Sequence, residues 1–490
     1  MSTARRVLKN TTVLLAGNIL STGLGVVYVS ALARYIHAAG MGKLATATSL
    51  VAMLGLVVDF GVSQVVTRDI AADRAVASIY VPNVLLLRVL LSFLFVAAIV
   101  GVTDAREYPV NTALIIYIYG LAYIFDQLAD VLFSVFNGFE RMEFPAILQT
   151  GRNLINIGLS LGAIYSRGSL VTIVMISAVA SFIKLAASLV VLRRGFVKPK
   201  LKIDLALSRR ILGLSLPFAG LTVVSVVNRQ VDTYLLSLYR SETEVGWFSS
   251  ANMLITYMLL VPSMLNQSIF PVFARFHSYS KESLEQGYRL SFRYLLMLGV
   301  PLCVGTIVTA DRWIALLYGP GFENAAVALR ILSFILFWMF GFANGALLNA
   351  TGGEVFLVRI AWIGVALNVV VALLLIPDFG FVGASVAGIV GGAVFLYPVT
   401  AACHKRLAMG MPYSLAVKSL ISAGVMGVIV AFSLRGGLNL FVSVFAVAPI
   451  VYGLLLVAFR VISDEDRVVV TAVMRRGTAT AQLGETASRG

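Results

Sequence analysis

Charge is scarce in this chain. Only 12% of its 490 residues are charged, while 59% are hydrophobic, at a mean hydropathy of +0.93. A soluble domain carries about 25% charged residues to cover its surface, so the composition is that of a polytopic membrane protein. Cysteine is nearly absent. Cys303 and Cys403 both sit in or at the end of apolar runs, which excludes a disulfide scaffold. The three histidines, His37, His277 and His404, are scattered, so no metal site is expected. There is no GxxxxGK[ST] phosphate loop to carry ATP hydrolysis and no HExxH. No regularly spaced arginine ladder is present either. The first apolar run is too long for a cleavable signal peptide and lacks a cleavage site, so it is expected to stay as a helix.

Long apolar runs are abundant instead. About 20 residues cross a bilayer core. Fourteen runs qualify, near 11–35, 42–65, 80–102, 111–136, 145–165, 169–192, 211–238, 245–270, 290–309, 325–349, 356–376, 380–403, 414–434 and 438–461. No connecting segment is long enough for a soluble domain. The net charge of +15 would suit nucleic acid, but the basic residues lie between the apolar runs, so no nucleic-acid partner is expected. With the N-terminus cytoplasmic, inner segments hold 24 Lys and Arg and outer loops hold 7. That asymmetry puts both termini inside, in a multi-pass protein of the cell membrane. The segment 193–210 carries seven basic residues and one acid, Asp204. It reads as an anchor on anionic lipid, with docking of a cytoplasmic partner as the alternative. Ile203, Leu205 and Leu207 there suit a short interfacial helix, and its midway position makes it the expected hinge.

The chain is written twice. At an offset of 204, Leu32, Tyr35, Gly42, Ala47 and Leu50 meet Leu236, Tyr239, Gly246, Ala251 and Leu254. At an offset of 212, Asn137, Phe144, Asn156, Leu161, Ile164 and Gly168 meet Asn349, Phe356, Asn368, Leu373, Ile376 and Gly380. Each copy spans six runs, and an even number makes the copies parallel. The expected fold is all-α: two parallel six-helix lobes around a central cavity, plus two extra C-terminal helices. The expected division is 1–192 for the N-lobe, 193–210 for the basic linker, 211–404 for the C-lobe, 405–462 for the last two spans, and 463–490 for a disordered tail.

Ionisable residues inside a bilayer cost about 2.5–3.5 kcal/mol on insertion scales and so tend to face a cavity or a partner. Arg88, Arg152, Lys184 and Arg359 fall in the cytoplasmic half of their spans, and Arg229 lies outward of the midplane. With Arg229 they form a candidate cationic chamber for a phosphate or pyrophosphate headgroup, since arginine offers a bidentate fork. Snorkelling is the alternative, and it is favoured for Arg330 and Lys418. Asp126 and Asp130 share a face one turn apart. They are candidates for binding Na⁺ or H⁺, or for neutralising the arginines. Asp232 is a candidate for the same roles and for pairing with Arg229. Asp59 is read as structural, paired with Arg68 or capping a helix. Gly42 and Gly246 are read as structural repeat glycines. Gly17, Ser21 and Gly25, and likewise Gly388 and Gly392, form small-residue stripes for close packing. Pro217, Pro262 and Pro301 should kink their spans.

Four segments carry a family likeness: RYIHAAGMGKLATATSLVAMLGLVVDFGVSQVVTRDIA from Arg34, VDTYLLSLYRSETEVGWFSSANML from Val231, YGPGFENAAVALRILSF from Tyr318 and LLIPDFGFVGASVAG from Leu374. In order and spacing they resemble the polysaccharide-transport branch of the multidrug/oligosaccharidyl-lipid/polysaccharide (MOP) exporter superfamily, over about the first 400 residues. The resemblance implies two lobes around a V-shaped cavity. It also implies flipping of a lipid-linked oligosaccharide, such as a polyprenyl-pyrophosphate sugar, to the outer leaflet by alternating access. Ion-gradient coupling by Na⁺ or H⁺, no other cofactor, and glycan polymerase or glycosyltransferase partners come with it. Trp247 stands where the family often has tyrosine. Span one has no arginine in its interior, only Asn18, which disfavours a lipid II flippase. A cation-coupled drug exporter is disfavoured by the intramembrane Arg and Lys. A membrane glycan polymerase or glycosyltransferase would need a large outer loop with paired acids, and the longest holds only Asp311 and Glu323.

Overall fold

The computed structural model describes residues 3–197, 203–407 and 413–461, with side chains from Gly23 onward except those of Leu221, Val261 and Gln267. Gly17, Asn18, Ser21, the middle of the basic linker and the tail from 462 lie outside these described side chains or residues. Among the described residues there is helix and no strand. Ten helices are long and apolar enough to cross a membrane, or twelve if two bent pairs each count as one span. The first two expected spans run as one helix, α1 (Thr3–Asp59), broken at His37, whose φ of 58° takes the backbone out of the helical region. The fifth run forms a helix, α5 (Glu143–Tyr165), that is not among those ten.

The chain forms two compact units. The first comprises Met1–Tyr257, Trp313–Leu332 and Val355–Phe395. Within it are α1, α2 (Val62–Ala72), α3 (Ala77–Ala105), α4 (Val110–Gly138), α5, α6 (Leu170–Gly195), α7 (Leu205–Tyr239) and nearly all of α8 (Glu242–Met258). Val65, Ile70, Val84, Leu132 and Phe136 make its core, buried between α2, α3 and α4. At one end, Phe196 packs against the rings of Phe136, Phe139 and Phe144 at 4.9–5.4 Å. Nearby, the Asp204 amide donates to Asn83 Oδ1 at 2.6 Å, and Asp204 Oδ1 caps α7 at Leu207 N. Both described ends of the basic linker therefore pack on the first repeat, and the middle of the expected hinge lies outside the described residues. Leu205 and Leu207 begin α7 rather than a separate interfacial helix. The bends lie elsewhere. One of 50° separates Leu205–Gly220 from Thr222–Tyr239, one turn past Pro217.

The repeat glycines meet within this unit. A Cβ at Gly42 would collide with the Glu242 carbonyl, and one at Gly246 with the Ala38 carbonyl. Only glycine allows backbones so close. Lys43 Nζ lies 3.6 Å from Glu242 Oε2, and Thr112 Oγ1 donates to Glu242 Oε1 at 2.8 Å. Arg34 reaches the Leu316 and Leu317 carbonyls, and Trp247 Nε1 donates to the Gly321 carbonyl at 2.8 Å.

The second unit comprises Met258–Arg312, Ser333–Glu354 and Leu396–Gly490. It holds α9 (Leu260–Tyr279), most of α10 (Lys281–Leu317), α12 (Phe334–Phe337), α13 (Gly341–Ala350), α16 (Tyr413–Arg435), α17 (Leu440–Val442) and α18 (Ala448–Ala458). The remaining helices, α11 (Glu323–Leu332), α14 (Glu354–Phe379) and α15 (Phe381–Leu407), belong wholly or partly to the first unit. Inside the second unit, Tyr288 donates to Asn344, which donates to Thr400, joining three helices through a buried polar chain. Lys418 donates to the Phe459 carbonyl at 3.1 Å, satisfying the open end of α18.

Candidate functional site

Arg88 and Asp59 form the first of two charge clusters. Asp59 ends α1 and Arg88 lies one turn short of the middle of α3. Arg88 Nη2 is 2.9 Å from Asp59 Oδ1 and 2.7 Å from Ser63 Oγ, and Nη1 bonds Gln127. The Arg88 side chain is 0% exposed. It therefore does not face a chamber, and Asp59 does not pair with Arg68. Arg68 pairs with Asp69 at 2.8 Å, which also takes the Tyr80 hydroxyl. The correction has a simple cause: a guanidinium in mid-span is stable once a carboxylate, an amide and a hydroxyl satisfy it.

The second cluster joins α4, α5 and α6. Lys184 Nζ, 3% exposed, sits 2.7 Å from Asp126 Oδ1 and 3.5 Å from Asp130 Oδ1. Arg152 Nη2 is 3.4 Å from Asp126 Oδ2 and 3.2 Å from both Ser177 and Ser181. The i, i+4 spacing of the aspartates brings both to Lys184. Arg88, Arg152 and Lys184 thus face Asp59, Asp126 and Asp130, three charges of each sign. The expected cationic chamber is charge-balanced in this unit. Such pairs are fixed by mutual need, since removing one partner strands a buried charge.

Arg152 alone of the five expected headgroup residues lines a described cavity. It lies nine residues into α5, about 14 Å along the axis. The cavity measures about 490 Å³, and α1, α4, α5, α6 and α8 wall it. Tyr28 and Thr48 of α1, Tyr119 of α4, Asn153 and Asn156 of α5, Ser177 of α6 and Tyr257 of α8 place polar groups in a wall that is otherwise mostly apolar, with Val29, Leu32, Leu44 and Ile173 among its residues. Its size is that of a small-molecule site. Asn156 was visible in the sequence as a repeat position, but the three tyrosines were not singled out. Spread over separate spans, they share no local spacing. A smaller cavity of about 440 Å³ in the second unit is lined by Asn266, Phe270, Ala346, Asn349 and Glu354.

The two remaining arginines are exposed and differ in their surroundings. Arg229 shares an exposed face of α7 with Ser225 and Asn228. A polar face in mid-helix belongs against water rather than lipid. Arg359 sits on α14 in one stripe with Val355, Trp362, Ile363, Val370 and Leu374, all exposed. Large apolar side chains at helical spacing are a lipid-facing surface, so Arg359 departs from the expected cavity set and fits a snorkelling role. Arg229 and Asp232 do not pair. Asp232 Oδ2 instead accepts from Asn368 Nδ2 at 3.3 Å, and Asp232 Oδ1 and Asn368 Oδ1 are buried without a hydrogen-bond partner. Gly388 and Gly391 make room for this pair: a Cβ at either would come within 3.3 Å of Asp232 or Asn368. Among the described residues, no Lys or Arg neutralises Asp232, unlike Asp59, Asp126 and Asp130.

Known proteins share this architecture. The structure resembles the lipid II flippase MurJ in an inward closed conformation, with a TM-score of 0.71, 17% identity, and coverage of 92% of this chain and 99% of that one. It also resembles an inward-facing multidrug resistance MATE transporter of the MOP superfamily, with a TM-score of 0.55, 20% identity, and coverage of 80% and 93%. At such identities these likenesses concern the fold. Among sequences, the probable low-salt glycan biosynthesis flippase Agl15 of Haloferax volcanii is 22% identical over 443 residues, covering 88% of this chain and 92% of its own. The probable flippase AglR of the same organism is 26% identical over 206 residues, covering 41% and 43%. An uncharacterised membrane protein of Methanocaldococcus jannaschii is 33% identical over 106 residues, 21% of either chain. The model of the polysaccharide biosynthesis protein family matches residues 7–277, more than half of the chain. The chain is therefore a member of the polysaccharide biosynthesis protein family.

Proposed function

We propose that this protein flips a lipid-linked oligosaccharide from the cytoplasmic to the outer leaflet for surface glycan assembly, by alternating access of its two repeats. The observation that carries the reading is the cavity of about 490 Å³ with Arg152 and a set of hydroxyl and amide side chains in an otherwise apolar wall. An amphiphile needs such a compartment for its head, while its apolar tail stays in lipid. The family match, the probable glycan biosynthesis flippase Agl15 and the probable flippase AglR support the same reading. Arg152 and Arg229 are the headgroup candidates. Arg88 and Lys184 act on the site by holding Asp59, Asp126 and Asp130. Asp232 is the candidate for ion coupling, because a buried carboxylate without a cation must take up a proton or a metal ion. Asp126 and Asp130 are already matched by Arg152 and Lys184. Glycan polymerase or glycosyltransferase machinery would receive the product.

Deleting the gene in its host should leave lipid-linked glycan facing the cytoplasm and strip glycan from the surface. The unaltered protein and Arg359→Ala should restore export, and Arg152→Ala should not. Unchanged surface glycan after deletion would overturn the proposal.

A further inference from the structure

We infer that the first-unit cavity is the subsite for the neutral sugar portion of the headgroup, and that the carrier's phosphate is held outside it. The inference rests on the flippase reading and narrows what that site recognises. Charge comes first. Arg152 is the charged side chain in the cavity wall, and its charge is matched by Asp126. Lys184 behind it is matched by Asp126 and Asp130. A pyrophosphate placed here would bring two or more negative charges against a wall with no net positive charge. Phosphate sites instead present arginine forks that are free to bind. Here Nε and Nη2 of Arg152 are committed to Asp126, Ser177 and Ser181, and only Nη1 remains for a ligand oxygen.

Hydrogen-bond chemistry points the same way. Asn156 Oδ1 is buried and has no donor. An ionised phosphate only accepts and cannot supply one, whereas a sugar hydroxyl both donates and accepts. The hydroxyls of Tyr119 and Tyr257 make no hydrogen bond among the described residues, and either can give or take one. The rings of Tyr28, Tyr119 and Tyr257 add flat apolar faces suited to the C–H face of a pyranose.

The repeat supplies an independent observation. The offset of 204 sets Tyr28 opposite Asp232, and the offset of 212 sets Asn156 opposite Asn368. In the second copy the pair is a carboxylate bonded to an amide. In the first copy the carboxylate is a phenol, and the pair lines an open cavity. The same two positions thus carry a charge-binding pair in one repeat and a neutral hydroxyl–amide pair in the other.

The test uses the full chain in lipid nanodiscs and saturation-transfer NMR with the methyl glycosides of glucose, mannose and N-acetylglucosamine. At least one glycoside should receive saturation, and excess inorganic pyrophosphate should not displace it. Tyr119→Phe and Asn156→Ala should each weaken that binding roughly three- to tenfold, the loss of one hydrogen bond. If either replacement fails to fold, Tyr257→Phe provides the same comparison. Displacement by pyrophosphate, binding unaffected by these variants, or no transfer to any glycoside would overturn the inference. A translocation assay on the same preparation separates the two claims. Translocation without glycoside binding removes the subsite and keeps the flippase, and glycoside binding without translocation does the reverse.

Discussion

At the scale of single residues, mid-span charge here is mostly structural. Both terminal nitrogens of Arg88 are bonded, to Asp59, Ser63 and Gln127, and the side chain has no exposed surface. Replacing Arg88 with Met should destabilise the protein by about 1–3 kcal/mol, because the partly buried Asp59 would be left unpaired. Adding Asp59→Asn should recover part of that loss in thermal unfolding of the solubilised protein, and equal loss in the single and double variants would count against the pairing. Arg359→Ala should leave both stability and export unchanged, since its exposed apolar stripe offers no partner. The sequence reveals that charges lie in the spans but not which charge meets which. Asp59 and Arg88 are 29 residues apart, and only the packing of α1 on α3 and α4 joins them. Asp126 and Asp130 are legible as a pair because an i, i+4 spacing shares a face, and Lys184 because it is ionisable within a span. The choice between pairing and ion binding needed the position of α6.

At the scale of elements, the opening segment of each repeat, around Gly42 in α1 and Gly246 in α8, is the informative unit. The pattern around Gly42 and Gly246 was readable from self-similarity, and so was the need for small residues. That the two glycines face each other's backbones was not, because it depends on how the copies pack. Gly42→Ala or Gly246→Ala should force α1 and α8 apart, as the new methyl meets the Glu242 or Ala38 carbonyl. A cysteine at Thr48, in the cavity wall, should then react faster with a membrane-impermeant thiol reagent added outside. Cys303 and Cys403 are buried and should stay silent. Unchanged labelling would mean that this contact does not seal the outer end. The basic linker shows the opposite limit. Its composition suggests a lipid anchor and its midway position a hinge, but neither reading reveals that Phe196 and Asp204 fasten its described ends.

For the whole molecule, the excess of Lys and Arg in alternate loops predicts both termini inside. Cysteines placed at Arg167 or Arg435 should label from outside, and one at Arg141 only after the membrane is opened. The reverse pattern would invert the direction of transport proposed here. Class, helical fold and repeat are global properties of composition and periodicity, so one sequence suffices to read them. The cavity is not, since its few polar groups come from five helices and from residue types common everywhere in the chain. The most direct test is translocation in sealed proteoliposomes carrying a fluorescent lipid-linked oligosaccharide, scored by loss of signal to an impermeant quencher. Flipping by this chain predicts rapid, protein-dependent exchange between leaflets, slowed roughly tenfold or more by Arg152→Ala and left unchanged by Arg359→Ala. Exchange no faster than in protein-free vesicles would contradict it.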